Sequence, residues 1–316
     1  MRTIWILLLA GWLAGCAQMT PRRGDAVLLN LAAGRFYADA TASRGAEVRI
    51  IDNTQLLSQT LDSYRKADPG RREDIAGQLA QLFANRGRAY SEADLHVLSW
   101  HDYSAAARLE PDSPQRMLDE AIELVELERS DQADALFRKV LNRTPDDVFA
   151  LRRFAWSRLD QGDYRQAVVL ARQAYAAAKK PRQRAYSAVI EVLAARDRAA
   201  LPAADGTLAA TWPYPVAAYL HGAIDADALR AAVTGDSGET QPRLCEALFY
   251  LGKFHELRED RALAMRYYNA ALNTRVISFF EYGEARRALL RLQAAGGRDT
   301  PQTGKSVPDR ASDGSL

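Results

Sequence analysis

The sequence is poor in the residues that most often carry chemistry. Two cysteines exclude a disulfide-based scaffold, and four histidines leave little material for a metal site. The net charge is only +2, from 42 Lys and Arg against 40 Asp and Glu, which argues against capture of nucleic acid by charge. The apolar run at residues 4–13 is shorter than the roughly 20 residues of a transmembrane helix. The rest is ordinary: 316 residues, 48% hydrophobic and 26% charged, make one large globular domain or two average ones.

The N-terminus predicts export and a lipid anchor. A short positive start precedes the apolar run, a pattern typical of a secretory signal peptide at residues 1–15. The run ends in Leu-Ala-Gly-Cys at residues 13–16, which resembles the lipobox of bacterial lipoproteins and implies that Cys16 is lipidated. The alternative is an ordinary secretory signal with a chance cysteine. Ala17 and Gln18 carry no acidic retention signal, so the resemblance to sorted lipoproteins implies the periplasmic face of the outer membrane. Cys245 is then the one remaining thiol, and no intramolecular disulfide is expected.

Self-similarity with a fixed period begins near residue 75. Pro111 and Pro145 are 34 residues apart, which is the tetratricopeptide (TPR) period, and they define units at 80–113, 114–147 and 148–181. A fourth unit fits residues 245–278. Paired helices need small residues where their backbones cross, and the four units supply Gly87, Ala121, Ala155 and Gly252. The predicted fold class is an all-α, TPR-like helical solenoid with a C-terminal capping helix.

The remaining segments complete the predicted domain plan. It has four parts: a signal peptide at 1–15, a lipidated tether with short helices at 16–74, the TPR-like helical domain at 75–295 and a disordered tail at 296–316. Within the tether, residues 48–51 are strand-like. Within the helical domain, residues 212–233 interrupt the repeat and predict two short helices. A last helix at 281–294 is expected to cover the final apolar face of the solenoid.

The C-terminal half resembles the NlpI family of TPR outer-membrane lipoproteins. The resemblance rests on the Trp-led stretch at residues 212–222, the aromatic block at 249–254 and the sequence Phe-Phe-Glu-Tyr at 279–282, in this order and behind a lipobox. Members of that family are scaffolds that bind murein hydrolases, notably endopeptidases, and a periplasmic processing protease. The resemblance implies such proteins as partners, a role in the cell wall, and a homodimer as one oligomeric state to test. The chain departs from the family before residue 75.

No arrangement of residues predicts catalysis. Residues 304–306 end like a phosphate-binding loop, but Asp299 stands where that motif needs glycine. His255 is followed by glutamate but lacks the second histidine of a zinc-binding helix. Cys245 opens a helix at a packing position, so a buried and inert thiol is expected. The chain is predicted not to be an enzyme and to need no metal or cofactor. The alternative of a different class is an enzyme that uses the insert at 212–233 as a lid.

Protein binding is the function that the sequence favours. In TPR families, fixed positions of each first helix line a groove for the partner. Transferred to this chain, those positions give the candidate groove residues Arg88, Gln115, Phe149, Arg152, Trp156, Phe249 and Lys253. Trp and Arg are common interface anchors, and Arg or Lys can hold a carboxylate. Alternatively, Phe149 and Trp156 simply pack between helices. We expect a non-catalytic adaptor for proteins, not nucleic acid, or else an accessory lipoprotein of a polysaccharide export or secretion assembly.

Overall fold

The computed structural model describes residues 40–196, 201–235, 238–277 and 279–298. The predicted signal peptide, Cys16 and residues 299–316 of the predicted tail lie outside the described residues. The described residues contain fourteen helices and no strand, which confirms the all-α class. The helices are α1 (Ala40–Lys66), α2 (Pro69–Glu92), α3 (His96–Leu109), α4 (Pro114–Glu126), α5 (Ser130–Arg143), α6 (Val148–Asp160), α7 (Tyr164–Ala177), α8 (Pro181–Ala195), α9 (Gly206–Ala210), α10 (Tyr214–His221), α11 (Ala226–Thr234), α12 (Thr240–Glu256), α13 (Arg261–Asn273) and α14 (Phe280–Arg298).

The helices belong to two compact units. We call Leu141–Leu244 the central unit and the combination of Tyr37–Val140 with Cys245–Leu316 the split unit. In the split unit, α1 packs on α2, α2 on α3, α3 on α4, and α13 on α14. In the central unit, α6 packs on α7 and α7 on α8. Helices that are neighbours in sequence are therefore neighbours in space, as in repeat proteins of the TPR kind.

Four helix pairs turn at the same position of the predicted repeat. Between the first and second helix of each pair, one residue has a positive φ: Asp94 (64°), Glu128 (59°), Gly162 (78°) and Glu259 (62°). Asp94, Glu128 and Gly162 follow one another at the 34-residue period, and Glu259 occupies the equivalent position of the fourth unit. The repeat is therefore present in the backbone conformation as well as in the sequence. The TPR-like class is confirmed by these helix pairs.

Three of these four turns hold a side chain in a conformation that suits glycine. A left-handed backbone costs a residue with a Cβ about 1–2 kcal/mol. Glu128 is exposed, so Glu128→Gly removes this cost without disturbing the core. We expect the free energy of unfolding, measured by urea titration, to rise by about 0.5–1 kcal/mol. The control is Glu120→Gly inside α4, which should lower it by about 1 kcal/mol. Equal losses in both variants would contradict the turn geometry.

The crossing points of the helix pairs agree with the predicted small residues. Gly87 packs against the ring of Tyr103, and Gly252 packs against the ring of Tyr268 at the same positions of their units. Ala121 and Ala155 are fully buried. A larger side chain at any of these positions would push the two helices apart, so these residues set the distance between them.

Helix starts are fixed by local side-chain bonds. Asp68, Ser113 and Asp147 precede α2, α4 and α6, and each accepts a hydrogen bond from a backbone N–H of the first helical turn. Proline occupies the first position of α2, α4 and α8, where its missing N–H costs nothing. These caps fix the residues at which α2, α4 and α6 begin. These three helices carry most of the predicted groove residues.

Residues 40–74 of the predicted tether lie within the described residues and are mostly helical. Residues 40–66 form one 27-residue helix, α1, and the strand-like run at 48–51 lies inside it. The predicted domain boundary at residue 75 falls within α2. α1 is held by the burial of Ala46 and Leu57 and by Arg86, which donates from Nη1 to Thr54 Oγ1 at 3.2 Å. Local β-branched composition is overridden here by packing on α2.

The segments predicted to be helical at residues 212–233 and 281–294 contain helices, with somewhat different bounds. α10 and α11 are the two short helices predicted at 212–233, and a further five-residue helix, α9, precedes them. Two tyrosine hydroxyls hold the segment before α9: Tyr175 donates to the carbonyl of Ala203 and Tyr214 to that of Pro202, both at 2.6 Å. α14 is longer than the predicted 281–294 and includes residues 296–298 of the predicted tail.

Arginines of α14 fasten it within the split unit. Arg286 pairs with Asp94, and Arg287 pairs with Glu126 and, at 2.9 Å, with Glu284. Glu126 and Glu284 have nearly buried carboxylates, so these contacts are worth more than ordinary surface ion pairs. The last helix therefore contacts the turns that end α2 and α4 through its charged side chains.

Candidate protein-binding faces

The seven predicted groove residues divide by exposure into two groups. Arg88, Gln115 and Phe149 are exposed and Arg152 is half-buried. Trp156, Phe249 and Lys253 are buried. The structure brings the accessible residues together in two places, one in each compact unit, which are described separately below.

The split unit carries a polar face on α2 and α4, formed by Gln81, Asn85, Arg88, Gln115 and Asp119. Its amides are bonded along the helices: Gln81 Nε2 donates to Asn85 Oδ1 at 2.8 Å, and Gln115 Nε2 donates to Asp119 Oδ1 at 2.7 Å. In each pair the two residues are one helical turn apart, and their hydrogen bond restrains both side-chain conformations. The face therefore presents amide and carboxylate groups in fixed positions.

Asp119 is the electrostatic centre of the polar face. Burial raises the pKa of its carboxyl, while the hydrogen bond from Gln115 and the positive charges of Arg116 and Arg88 act in the opposite direction. Arg116 is itself anchored, because its Nε donates to Glu110 Oε2 at 2.7 Å. Two predicted groove residues, Arg88 and Gln115, thus both interact with Asp119. The sequence alone did not identify Asp119 as a candidate.

The central unit carries a different face on α6 and α8. We call it the basic-aromatic face and define it by Phe149, Arg152, Arg153, Arg182 and Tyr186. The guanidinium carbon of Arg152 lies 5.1 Å from the centroid of the Tyr186 ring and 6.0 Å from that of Phe149. The guanidinium carbon of Arg182 also lies near this ring, at 5.8 Å from the Tyr186 centroid. Such cation–π contacts hold flexible arginines in defined positions.

Tyr186 and Arg182 were missed by the sequence-based groove prediction. Tyr186 lies 34 residues after Arg152, at the same position of the repeat, but the repeat pattern lapses after residue 181. Continuing the count across Pro181 would have found it.

The three buried candidates have packing contacts. Phe249 is 1% exposed, and its ring lies 5.2 Å from that of Tyr250 and 6.1 Å from that of Tyr268. Lys253 is also buried, with Nζ 3.4 Å from Glu256 Oε2. The packing alternative for Trp156 agrees with its 5% exposure, whereas Phe149 is 46% exposed.

The central unit also has an open cleft on another side of α6. Its volume is about 760 Å³, and polar and apolar groups both line it, from α5, α6, α7 and the segments that follow α5 and α7, including Asp146 and Lys179. Leu151 contributes to it from a side of α6 that is about 160° around the helix from Phe149. The cleft is therefore separate from the basic-aromatic face.

His96 has two acidic partners. His96 lies between Glu123 and Asp94, with ring nitrogens 2.9 Å and 3.0 Å from their carboxylates. Among the described residues, no group of three His, Cys, Asp or Glu side chains has the geometry to hold a metal ion. Within the same residues, no helix combines the length and the apolar character needed to cross a bilayer.

Cys245 is buried, as expected. Its side chain is fully inaccessible, its Sγ lies 3.9 Å from the Ala271 carbonyl oxygen, and burial raises the pKa of the thiol to about 12. Because the thiolate is the reactive form, we expect maleimide at pH 7.5 to label Cys245 at least a hundredfold more slowly in native protein than in urea. The measurement uses a Cys16→Ser background, so that Cys245 is the one thiol. Labelling at equal rates would contradict the buried position.

Comparison with known proteins gives no family assignment. No protein-family model and no curated protein matches the chain. Among solved structures, the crystal structure of yeast Tom70 is similar, with 14% sequence identity and a TM-score of 0.36, over 77% of this chain. The match covers 46% of the Tom70 chain, so this chain spans less than half its length. At this TM-score the fold assignment rests on the helix pairs themselves.

Proposed function

We propose that this protein is a lipid-anchored adaptor that binds other proteins at the periplasmic face of the outer membrane. TPR-like helix pairs form a scaffold for protein–protein interaction, because stacked pairs expose long rows of side chains to a partner. The observation that carries the proposal is the pair of ordered side-chain faces, on α2 and α4 and on α6 and α8. The lipobox at residues 13–16 supports the anchor, and the absence of an acidic residue at positions 17 and 18 supports the outer membrane.

The partners in this proposal are peptidoglycan hydrolases or a periplasmic protease. Support comes from the NlpI-like resemblance of residues 212–222, 249–254 and 279–282. The mechanism is tethering. Holding a hydrolase and its regulator on one anchored scaffold raises their effective concentration to the millimolar range for short linkers, without new chemistry. The adaptor itself performs no catalytic step in this proposal.

Affinity capture from the native envelope tests the proposal. The bait is the full-length chain solubilised in mild detergent, and captured proteins are identified by mass spectrometry. We expect enrichment of murein hydrolases or a periplasmic protease over a bait of an unrelated lipoprotein. Enrichment of polysaccharide-export or secretion components would favour the alternative assembly role. Enrichment of neither class would overturn the adaptor proposal.

Variants of the two faces locate the binding. Arg152→Gln with Arg182→Gln alters the basic-aromatic face, and Arg88→Gln with Asp119→Asn alters the polar face. Both pairs remove charge but keep polar side chains, and they are chosen over truncation of Trp156, whose burial makes unfolding the expected effect. Circular dichroism must show an unchanged helix content. Loss of one partner by one variant assigns that partner to that face.

A further inference from the structure

The open cleft of the central unit lies where three helix ends meet. The end of α5, the first turn of α6 and the end of α7 line it, together with the segments that follow α5 and α7. Its volume of about 760 Å³ falls within the roughly 300–1,000 Å³ that is typical of ligand sites in proteins. The pocket between α1 and α2 in the split unit holds only about 260 Å³. The cleft is therefore large enough for a small organic ligand.

Small side chains at the end of α7 leave room for this cleft. Ala176 and Ala177 line it. One repeat earlier, 34 residues back, the same two positions at the end of α5 carry Asn142 and Arg143. Replacing two long side chains by alanine removes the atoms that would otherwise occupy this space. The third unit thus departs from the second where the cleft lies.

The same departure leaves an acid without a basic partner. In the second unit, Asp112 and Arg143 both have interaction partners. Asp146 is the equivalent of Asp112, but the equivalent of Arg143 is Ala177. Within the described residues, the Asp146 carboxylate has no hydrogen-bond or ion-pair partner, although Asp146 lines the cleft. The cleft therefore offers an anionic group that can receive a cation from a ligand.

Lys179 and Gln173 add a positive charge and an amide to the same cleft. Across the part of the chain that the structure describes, neither side chain has a hydrogen-bond or ion-pair partner. An amide side chain can both donate and accept, and a lysine ammonium donates three hydrogen bonds. One acid, one base and one amide thus line a single cleft, each with its bonding capacity available.

The backbone on both sides of the cleft is held by hydrogen bonds. In the turn before α6, the N–H of Asp147 donates to the carbonyl of Thr144 at 3.1 Å. In the segment after α7, Arg184 Nε donates to the carbonyl of Ala178 at 3.0 Å. The two charged residues of the cleft therefore stand on ordered backbone, which lowers the entropic cost of binding a ligand between them.

We propose that the cleft binds a short free peptide, with its ammonium group on Asp146, its carboxylate on Lys179 and an apolar side chain toward Leu141 and Leu151. This site goes beyond the adaptor function, because it adds a small zwitterionic ligand at a place separate from the basic-aromatic face. Packed helices lie about 8–10 Å apart, and an extended three-residue peptide spans about 10–11 Å. A peptide of about three residues can therefore reach from the start of α6 to the end of α7.

A free peptide fits the cleft better than a ligand with one kind of charge. Asp146 repels anions and Lys179 repels cations, so only a ligand that carries both charges gains from both side chains. A single amino acid also carries both, but one residue spans only about 3.3–3.6 Å. The amide groups of a peptide also match the Gln173 side chain, which can donate and accept.

Isothermal titration calorimetry on the full-length chain in detergent tests the inference. The probe is the tripeptide Ala-Leu-Ala with free ends. One matched probe is its N-acetylated form, which lacks the cation, and the other is its C-terminal amide, which lacks the anion. We expect each blocked peptide to bind at least tenfold more weakly than the free peptide. Titration at two temperatures prevents a zero heat at one of them from hiding the binding.

Variants of the cleft separate its two charges. Asp146→Asn should weaken binding of the free peptide at least tenfold but change binding of the N-acetylated peptide less than twofold. Lys179→Gln should do the same for the free peptide and the C-terminal amide. Ala177→Leu fills the cleft without changing its charge and should weaken binding of all three peptides. The control, Asp131→Asn with Lys139→Gln, removes one acid and one base at exposed positions of α5 and should change binding less than twofold.

Three results would overturn the inference. The first is equal affinity for the free and blocked peptides, or equal losses in the Asp146 variant and the control. The second is no binding of the free peptide up to about 10 mM at both temperatures. The third is equally tight binding of Lys-Leu-Glu blocked at both ends, which would assign the cleft to charged side chains within a partner chain. Circular dichroism must show that each variant keeps its helix content.

Discussion

Replacing Gly252 with alanine is expected to lower the free energy of unfolding by about 2–3 kcal/mol. An added Cβ would lie 2.6 Å from both Cδ1 and Cε1 of Tyr268 and 3.2 Å from its Cγ. The Tyr268 ring cannot move aside easily, because it is fully buried and its hydroxyl donates to Glu256 Oε2. The two helices α12 and α13 would have to separate, and every contact along their interface would weaken.

Urea unfolding followed by circular dichroism measures this effect, and the chain offers graded controls. At Gly77 in α2, a new Cβ would approach Glu110 Oε1 at 3.9 Å, an ordinary contact. Gly77→Ala should therefore gain about 0.5–1 kcal/mol from helix propensity alone. At Gly87, a new Cβ would lie 3.3 Å from Cδ1 and Cε1 of Tyr103, so Gly87→Ala should fall between the other two. Equal stability of the Gly252 and Gly77 variants would contradict the close crossing.

The repeat was predictable because its determinants are local. Prolines that end second helices and glycines at crossings must occur at fixed positions, so they mark the period directly in the sequence. The same logic fails for α1. Its buried side includes a small residue, Ala46, as well as Leu57, while Val48 and Ile51 are exposed, so its apolar pattern does not point to the face that packs. Only the neighbouring helix α2 decides which side of α1 is covered.

The repeat position alone does not separate exposed candidate residues from buried ones. The repeat position selected Arg88 and Gln115, which are exposed, and Arg152, which is half-buried, but it equally selected Phe249, which is buried among Tyr250, Tyr268 and Phe280. Whether such a position opens to solvent depends on the size of side chains from other helices, which one unit's sequence does not contain. Asp119 became recognisable only through its contact with Gln115, whereas Tyr186 could have been found by continuing the repeat count past Pro181.

Replacing Cys16 with serine is expected to move the protein from the membrane fraction to the soluble fraction of the periplasm. The reason is that attachment in the adaptor proposal depends on acyl chains at Cys16. Each buried CH₂ contributes about 0.8 kcal/mol to membrane affinity, so two or three chains hold a protein stably while none leaves it free. Serine has no thiol to acylate. Metabolic labelling with a radioactive fatty acid should also disappear, and fractionation on a sucrose gradient should place the unaltered protein with the outer membrane.

Cys245→Ala is the matched control, because it removes the other cysteine of the chain and leaves Cys16 in place. It should keep the fatty-acid label and the membrane fraction, with a modest loss of stability from the small cavity at a fully buried site. If the Cys16→Ser protein stays in the membrane fraction, acylation is not the anchor, and tethering by lipid fails as the mechanism. If the protein is soluble but still captures its envelope partners, binding and anchoring are independent properties. The acyl chains then act by raising local concentration at the membrane, as tethering requires.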